Sequence, residues 1–194
     1  CSQLDETSRG YVQKIQRNSE RMNRLTQDVL SYSRLSRSEM RCEPIALDSL
    51  IRDIIDQYEN LQEPNAKIEM VSSLGGVLGH EVTLGQCVAN ILNNAVKFVG
   101  EEVTPRIRIY AERKGTKVRV WFEDNGIGIK PEHQGRIFQM FERVHPDGKY
   151  DGTGIGLTIV RKAVERMGGR VGVESDGQSG SRFWLDLHGA EQMN

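Results

Sequence analysis

One loop limits what this chain can fold into more than any other stretch, because it joins a strand-like run to two closely spaced glycines. Apolar and polar residues nearly alternate from Val118 to Glu123, and Asp124-Asn125-Gly126-Ile127-Gly128-Ile129 follows directly. Glycine tolerates positive φ and lets another group approach where a Cβ would clash. The pattern predicts a strand end that directs the Asp124 carboxylate into a pocket edged by the loop. An ordinary turn has similar residues, so the remaining motifs decide between a ligand site and a turn.

Length, charge and cysteine content narrow the class of protein. The 194 residues suffice for one domain of ordinary size plus an appendage. A net charge of −1 favours neither nucleic-acid nor membrane-surface binding, and no apolar run approaches the ~18 residues of a membrane span. Cys1, Cys42 and Cys87 form no C-x-x-C pair, so we expect free thiols in a reducing, cytoplasmic compartment. Because the chain opens on cysteine, we expect a fragment of a longer protein.

Residues 4 to about 38 predict one long amphipathic helix of coiled-coil type. Positions spaced alternately four and three residues apart form its seam: Leu4, Ser8, Tyr11, Ile15, Asn18, Met22, Leu25, Val29 and Tyr32. So narrow an apolar stripe is not stable alone in water, and it requires partner helices. We favour an association helix in a bundle, with a helix that packs on its own domain as the alternative. Residues 1–42 are therefore taken as a unit separate from residues 43–188.

The remaining chain predicts an α/β two-layer sandwich, with helices on one face of a mixed, mostly antiparallel sheet. Pro44 ends the first helix, and Asp48 is a plausible N-cap for a helix at 49–61. Further helices are expected at 81–98, 131–138 and 153–167, and strands at 44–47, 67–71 and 77–78. Two hairpins are expected, at 106–111 with 117–123 and at 169–174 with 182–187. A frayed tail follows Leu187, and residues 189–194 are assigned to it.

The helix at 81–98 carries three polar residues on one face. Asn90, Asn94 and Lys97 are spaced at i, i+4 and i+7, and apolar residues occupy the other faces. Amide oxygens are hard ligands and lysine supplies positive charge, so this stripe suits magnesium and phosphate. A solvated polar face would have the same pattern.

A glycine-rich turn, Gly152-Thr153-Gly154-Ile155-Gly156-Leu157, precedes the helix at 153–167. Unpaired N–H groups and the positive end of the helix dipole make such a turn a ready anion site. It lacks the Lys-Ser/Thr of a P-loop and the third glycine of G-x-G-x-x-G. A glycine-rich turn without a ligand remains the alternative.

Two aromatic residues and an arginine lie between these motifs. Phe138 and Phe141 are three residues apart, so we expect both to anchor one face of a short turn. Arg143 would then stand at the start of the segment 145–151, which reads as a mobile lid. A surface loop with two aromatic anchors and no ligand would have the same sequence pattern.

Taken in order, these four motifs resemble the catalytic ATP-binding domain of sensor histidine kinases. Residues 90–98 resemble the N box of that family, 124–129 its first glycine box, 138–143 its F box and 152–157 its second glycine box. The resemblance covers about residues 44–188 and implies the Bergerat-type ATP-binding fold shared by histidine kinases, Hsp90, gyrase and MutL. Residues 1–42 resemble the second helix of the dimerisation and phosphotransfer hairpin that precedes this domain.

The resemblance implies ATP and Mg²⁺ as cofactors and assigns roles to individual residues. Asp124 would accept a hydrogen bond from the adenine amino group, which favours adenine over guanine. Asn94 would ligate Mg²⁺, with Asn90 acting directly or through water, while Lys97 and Arg143 would neutralise phosphate charge. The remaining cofactor contacts would come from Gly126, Gly128, Ile129, Lys149, Thr153, Gly154, Gly156 and Leu157.

One departure from the family concerns the phosphoacceptor. The histidines are His80, His133, His145 and His188, and none lies on the first helix. His80-Glu81 imitates the family's acceptor pair but falls inside the nucleotide domain, so we expect it to be a surface or N-cap residue. The acceptor is therefore expected on a helix absent from this chain.

The resemblance also implies partners for the full-length protein: a homodimer through the helical hairpin, and a response regulator. Nucleic acid is not expected, and membrane contact is expected only through absent segments. Two other functions stay open: a degenerate nucleotide-binding signalling module, and another ATPase of the same superfamily.

Overall fold

The computed structural model describes residues 5–37, 40–144, 150 and 152–190. Helix α1, Glu6–Arg37, confirms the long amphipathic helix, although Leu4 at the start of its predicted seam lies outside the described residues. Strand β1, Glu43–Ala46, follows and pairs antiparallel with β3, Gly76–Gly79. The two strands form a small separate sheet at the edge of the domain.

Helix α2 spans Leu47–Gln57 and is followed by a 3₁₀ turn at Glu59–Leu61. The predicted N-cap at Asp48 is wrong, because the helix begins at Leu47, two residues before the predicted start at Ser49, and no side chain caps it. The amide of Leu47 instead donates to the carbonyl of Gly75 at 3.1 Å. Asp48 lies in the first turn and accepts a hydrogen bond from the amide of Leu74 at 3.0 Å. The loop that contains Leu74 and Gly75 thus holds the first turn of α2 in place of an N-cap side chain.

The other elements form the two-layer sandwich that the sequence predicts. Their bounds are β2 Lys67–Met70, α3 Glu81–Lys97, β4 Arg106–Lys114, β5 Lys117–Asp124, α4 Pro131–Gln134, α5 Gly156–Arg166, β6 Arg170–Glu174 and β7 Ser181–His188. The main sheet has the order β2-β4-β5-β7-β6, in which only β2 and β4 run parallel. Helices α3 and α5 contact each other, and α3 lies against β4 and β5.

The core lies between the helical layer and one face of the main sheet. Its fully buried side chains are apolar and come from both layers: Leu84, Ile91 and Leu92 of α3, Ile159 of α5, and Ile107, Ile109, Phe122 and Leu185 of the sheet. Each such side chain contributes roughly 1.5–3 kcal/mol by leaving water. This packing fixes α3 and α5 relative to β5, and the candidate site lies at their junction.

The opposite face of the sheet is covered by its own side chains. Cross-strand pairing aligns Tyr110, Trp121 and Trp184 in one row. The Arg119 guanidinium lies 4.1 Å from the Trp184 ring and binds the Asp186 carboxylate through two hydrogen bonds of 2.6 and 2.7 Å. These contacts shield the aromatic row without a second helical layer.

Helix α1 divides into a docked end and an exposed end. Leu35 is buried, and Leu25 and Tyr32 pack against the core, where α1 contacts α5. By contrast, Ile15 and Met22 of the predicted seam are 68% and 69% exposed. The alternative of a helix that packs on its own domain holds for the C-terminal third. Association of the exposed seam with further helices remains a prediction.

Several boundaries differ from those predicted. Helix α4 ends at Gln134 rather than at Phe138, and α5 begins at Gly156 rather than at Thr153 because Gly154 has φ +73°. The predicted fraying does not begin directly after Leu187, since the Gly189 and Ala190 amides donate to the carbonyls of Thr116 and Gly76; residues 191–194 of the predicted tail lie outside the described residues. Across the described ranges, no helix combines the length and the apolar character needed to cross a membrane.

Candidate functional site

A cleft opens between α3, the loop after β5 and the glycine-rich loop before α5. Three elements meet there because α3 packs both against α5 and against β5. Most of the predicted site residues line it: Asn90, Asn94, Lys97, Asp124, Gly128, Ile129, Arg143, Gly152, Thr153, Gly154, Gly156 and Leu157. Asp124 and Asn94, the predicted base-recognising and metal-binding residues, therefore face one cavity.

Asp124 occupies the last position of β5 and is anchored by backbone donors. Its Oδ1 accepts hydrogen bonds from the amides of Gly126 at 2.8 Å and Ser181 at 3.1 Å. In the described part of the chain, Oδ2 accepts no hydrogen bond, so it is available to a ligand. Burial raises the pKa of Asp124 from 3.8 to about 6, the two amide bonds oppose this, and Glu123 adds to it. The site thus maintains a desolvated carboxylate, and no cation among the described residues offsets its charge.

The two glycines of this loop occupy positions where a Cβ would clash, as the sequence predicts, and the approaching groups belong to the protein's own backbone. A Cβ on Gly126 would lie 2.4 Å from the Phe98 carbonyl oxygen, and Gly126 does not line the cleft. Gly128 has φ +75°, and a Cβ there would lie 2.6 Å from the amide nitrogen of Gln178. Both glycines therefore permit close packing of the protein's own backbone, which holds the loop against α3 and the β6–β7 turn.

Helix α3 presents its polar face to the cleft as the i, i+4, i+7 spacing predicts. Asn90, Asn94 and Lys97 line it, while Ile91 and Leu92 are fully buried on the other side. The adjacent Asn93 has a structural role instead, because its amide bonds to Asn60 at 2.7 Å and to the carbonyl of Ala89 at 2.9 Å. The Asn90 amide reaches the Gly156 carbonyl at 3.4 Å and so connects α3 to the glycine-rich loop.

The glycine-rich loop is shaped by a close backbone contact. Gly154 has φ +73°, and a Cβ on it would lie 2.8 Å from the Glu142 carbonyl oxygen. Its own carbonyl accepts a hydrogen bond from the Phe141 amide at 3.0 Å. Helix α5 starts two residues later without a side-chain cap, and both Gly156 and Leu157 border the cleft. The uncapped amides and the helix dipole together favour an anion at this end.

An aromatic pair lies beside Lys97 at the middle of the cleft. The Lys97 ammonium lies 4.3 Å from the Phe98 ring centroid, and the Phe98 ring lies 5.1 Å from that of Tyr150. The Tyr150 hydroxyl donates to the Val99 carbonyl at 3.0 Å, and the Arg143 guanidinium donates to the Tyr150 carbonyl at 2.8 Å. The arginine predicted to meet phosphate thus fixes the backbone beside the aromatic pair.

The prediction that Phe138 and Phe141 both act as anchors is half wrong. Phe138 is buried, but Phe141 is 59% exposed and has φ +65°. The left-handed conformation turns the chain so that the Phe141 amide, rather than its ring, contacts the glycine-rich loop. Such a conformation is uncommon for a bulky residue and costs of the order of 1–3 kcal/mol.

Among the predicted residues that the structure describes, Gly126 does not line the cleft, and several cleft residues were not predicted. Gly126 packs beneath the loop, and Lys149 lies outside the described residues, as does His145. Phe98 directly follows Lys97, so the N-box pattern carried a signal for it. Ser181 and Asp28 border the cleft from distant parts of the chain and carry no local signal. His80 caps α3 by accepting from the Thr83 amide at 3.4 Å, as expected.

The metal-binding capacity of the cleft rests on amide oxygens. Among the described residues, no group of three or more His, Cys, Asp or Glu side chains is placed to hold a metal ion. Asn90 and Asn94 are half-buried and face the cleft, and their oxygens are of the hard type that Mg²⁺ accepts. These residues fit a Mg²⁺ ion that takes its other ligands from phosphate and water.

The fold and this cleft define a nucleotide-binding ATPase domain. Residues 79–191 match the family described as histidine kinase-, DNA gyrase B- and HSP90-like ATPase, and the chain belongs to that family. Similar proteins include sensor histidine kinases. The chain is 34% identical to sensor histidine kinase AruS of Pseudomonas aeruginosa over 95% of its length and 19% of that protein. It is 29% identical to phytochrome-like protein Cph1 of Synechocystis, over 95% of its length and 24% of Cph1.

A solved structure supports the same assignment. The crystal structure of full-length ShkA in complex with AMPPNP is 28% identical and superposes with a TM-score of 0.75, covering 98% of this chain and 41% of ShkA. The predicted Bergerat-type sandwich preceded by a long helix is confirmed. The chain spans about a quarter or less of the curated relatives named above.

Proposed function

We propose that this chain is the catalytic ATP-binding domain of a two-component sensor histidine kinase, with part of its dimerisation helix. It binds Mg-ATP in the cleft and transfers the γ-phosphoryl group to a histidine. The observation that carries the proposal is the placement of Asp124, Asn94, Lys97 and the glycine-rich loop around one cavity. Residues 43–188 constitute the domain, to which Gly189 and Ala190 are also hydrogen-bonded, and residues 1–42 are part of the hairpin.

Adenine recognition follows from the anchoring of Asp124. Its Oδ1 is held by two backbone amides, so Oδ2 has a fixed position from which to accept the adenine amino proton. Guanine presents a carbonyl at that position, and the buried carboxylate would then face an oxygen. Ile127 and Ile129 follow Asp124 in the same loop and line the same cavity, so they offer apolar contact to the base.

We assign phosphate binding to the end of the cleft where α5 begins. The amides at the start of α5 and the Lys97 ammonium neutralise negative charge, and Asn94 and Asn90 offer oxygens to Mg²⁺. A bound Mg²⁺ ion, held by Asn94 and Asn90, would neutralise phosphate charge. The residues of this chain contribute position and charge, which together account for most of the catalysis of phosphoryl transfer.

The phosphoacceptor in this proposal lies on a helix outside the 194 residues. His80 is committed to capping α3 and also contacts the Thr83 hydroxyl at 2.9 Å. The exposed seam of α1, with Ile15 and Met22, offers the surface for that helix and for a homodimer. A response regulator is the proposed receiver of the phosphoryl group, and the proposed location is the cytoplasm.

Calorimetric titration with AMPPNP, with and without Mg²⁺, tests binding. We expect binding that Mg²⁺ strengthens, and a clear preference for ATP over GTP. Transfer is tested by supplying a purified hairpin that carries an acceptor histidine and following acid-labile phosphoprotein. An acid-stable product, or steady ATP hydrolysis without phosphoprotein, would contradict the kinase assignment.

A further inference from the structure

Asp28 belongs to α1 and to none of the motifs, yet its side chain borders the nucleotide cleft. The Thr153 hydroxyl of the glycine-rich loop donates to Asp28 Oδ2 at 2.5 Å. The same cavity is lined by Asn90, Lys97 and Gly156, the residues assigned to its phosphate end. A carboxylate from a different structural unit thus lies where phosphate oxygens are expected.

The docking of α1 holds this carboxylate in place. Leu25 and Tyr32 lie about one helical turn to either side of Asp28, and both pack against the core. Leu35 is buried, and the Arg166 guanidinium of α5 donates to its backbone carbonyl. Asp28 itself is half-buried. Its position therefore follows from the packing of the whole docked end.

Thr153 links Asp28 to the turn that precedes α5. Besides donating to Asp28, its hydroxyl oxygen lies 3.4 Å from the Ile155 amide nitrogen, which donates to it. Asp28 thereby fixes the hydroxyl rotamer and tightens the turn before α5. A carboxylate acceptor makes this a charge-assisted bond, which is roughly twice as strong as a neutral one.

We propose that Asp28 is a further residue of the nucleotide site, which orients Thr153 and opposes the charge of the triphosphate while α1 is docked. The inference rests on the proposed nucleotide-binding function. Because like charges repel most strongly in a partly desolvated cleft, binding of the triphosphate and docking of α1 disfavour each other. The coupling is reciprocal, so triphosphate binding loosens the docked end of α1.

Nucleotide titration of Asp28→Asn separates charge from geometry, since the amide oxygen still accepts from Thr153. We expect AMPPNP to bind about three- to tenfold more tightly than to the wild type at low salt, with the gain reduced at high salt. Adenosine, which carries no phosphate, should bind both proteins equally. The matched control is Glu20→Gln, which makes the same charge change on an exposed part of α1.

Weaker AMPPNP binding by Asp28→Asn would identify Asp28 as a metal or phosphate-network ligand and overturn the proposal. An equal gain for adenosine, or an equal gain in Glu20→Gln, would overturn it as well. If AMPPNP binds neither the wild type nor the variant, the proposed function fails instead. The two failures are therefore distinguishable.

Hydrogen exchange at the docked end of α1 provides an independent readout. Added AMPPNP should raise the exchange rate of residues 25–35 in the wild type, and adenosine should not. In Asp28→Asn the AMPPNP-induced rise should largely disappear. If AMPPNP instead slows the exchange of these residues in the wild type, triphosphate binding does not loosen α1 and the proposal is wrong.

Discussion

Replacing Asp124 with asparagine should stabilise the nucleotide-free protein although it damages the site. Burial raises the pKa of this carboxyl from 3.8 to about 6. The folded state thus binds the proton more tightly than the unfolded state does. The associated stability is fully present below pH 3.8 and is lost as the pH rises through about 6. At pH 7 the folded protein bears the whole cost of a desolvated carboxylate.

The size of this desolvation cost follows from the pKa shift of Asp124. Two pKa units correspond to about 3 kcal/mol, since one unit is 1.36 kcal/mol. Asparagine retains the Oδ1 acceptor for the Gly126 and Ser181 amides, and its NH₂ group faces the open cleft. Part of this gain is offset because the asparagine amide is itself partly removed from water in the folded state. We therefore expect Asp124→Asn to gain about 1–3 kcal/mol in the free energy of unfolding at pH 7.

Urea denaturation at pH 7 and at pH 4, without nucleotide, measures the effect. The difference between variant and wild type should be large at pH 7 and small at pH 4, where the wild-type carboxyl is largely protonated in the folded state. Asp53→Asn, an exposed change on α2, is the matched control and should show no difference at either pH. A destabilised Asp124→Asn, or a gain that does not depend on pH, would refute the reasoning.

Three further predictions follow from named contacts. Gly172→Ala should cost about 1–3 kcal/mol of stability by overpacking, since its Cβ would lie 2.2 Å from the Trp184 ring; denaturation of Gly135→Ala, where no atom lies within 4 Å, is the control. Adenosine affinity should fall as the pH drops below about 6, because Asp124 is then protonated, and calorimetry should show no such fall in Asp124→Asn. His80→Ala should cost about 1 kcal/mol through loss of the α3 cap, whereas His80→Asn should retain most of the stability and all of the phosphotransfer; loss of transfer in His80→Asn would reopen the question of the acceptor.

The parts of the site that the sequence predicted are those encoded within one element. Asn90, Asn94 and Lys97 follow from helical periodicity, and Asp124 follows from its position at a strand end. Contacts between distant segments could not be predicted. The Ser181 amide that anchors Asp124 is 57 residues away, and Asp28 is 125 residues from Thr153. Such contacts depend on strand register and helix docking, which local patterns do not specify.

The two wrong predictions, the N-cap at Asp48 and the anchor at Phe141, also result from contacts between distant segments. Asp48 has the sequence of an N-cap, but the Gly75 carbonyl accepts the first amide of α2 from across the small sheet. Phe141 reads as an anchor, but its positive φ directs the ring outward and the amide towards Gly154. In both places a tertiary backbone contact overrides the local preference. The glycines at 126 and 128 were identified correctly as positions where a Cβ would clash, and their close approach to a nucleotide stays a prediction.

The most direct test of the account is calorimetric titration of Asp124→Asn and Asn94→Ala with adenosine and with AMPPNP, each with and without Mg²⁺. We predict that Asp124→Asn weakens both ligands by about 1–3 kcal/mol and preserves the Mg²⁺ effect. Asn94→Ala should bind adenosine normally and lose most of the strengthening of AMPPNP binding by Mg²⁺. If the two variants lose the same ligands to the same extent, or if neither loses any, the division of the cleft into a base end and a metal end is wrong.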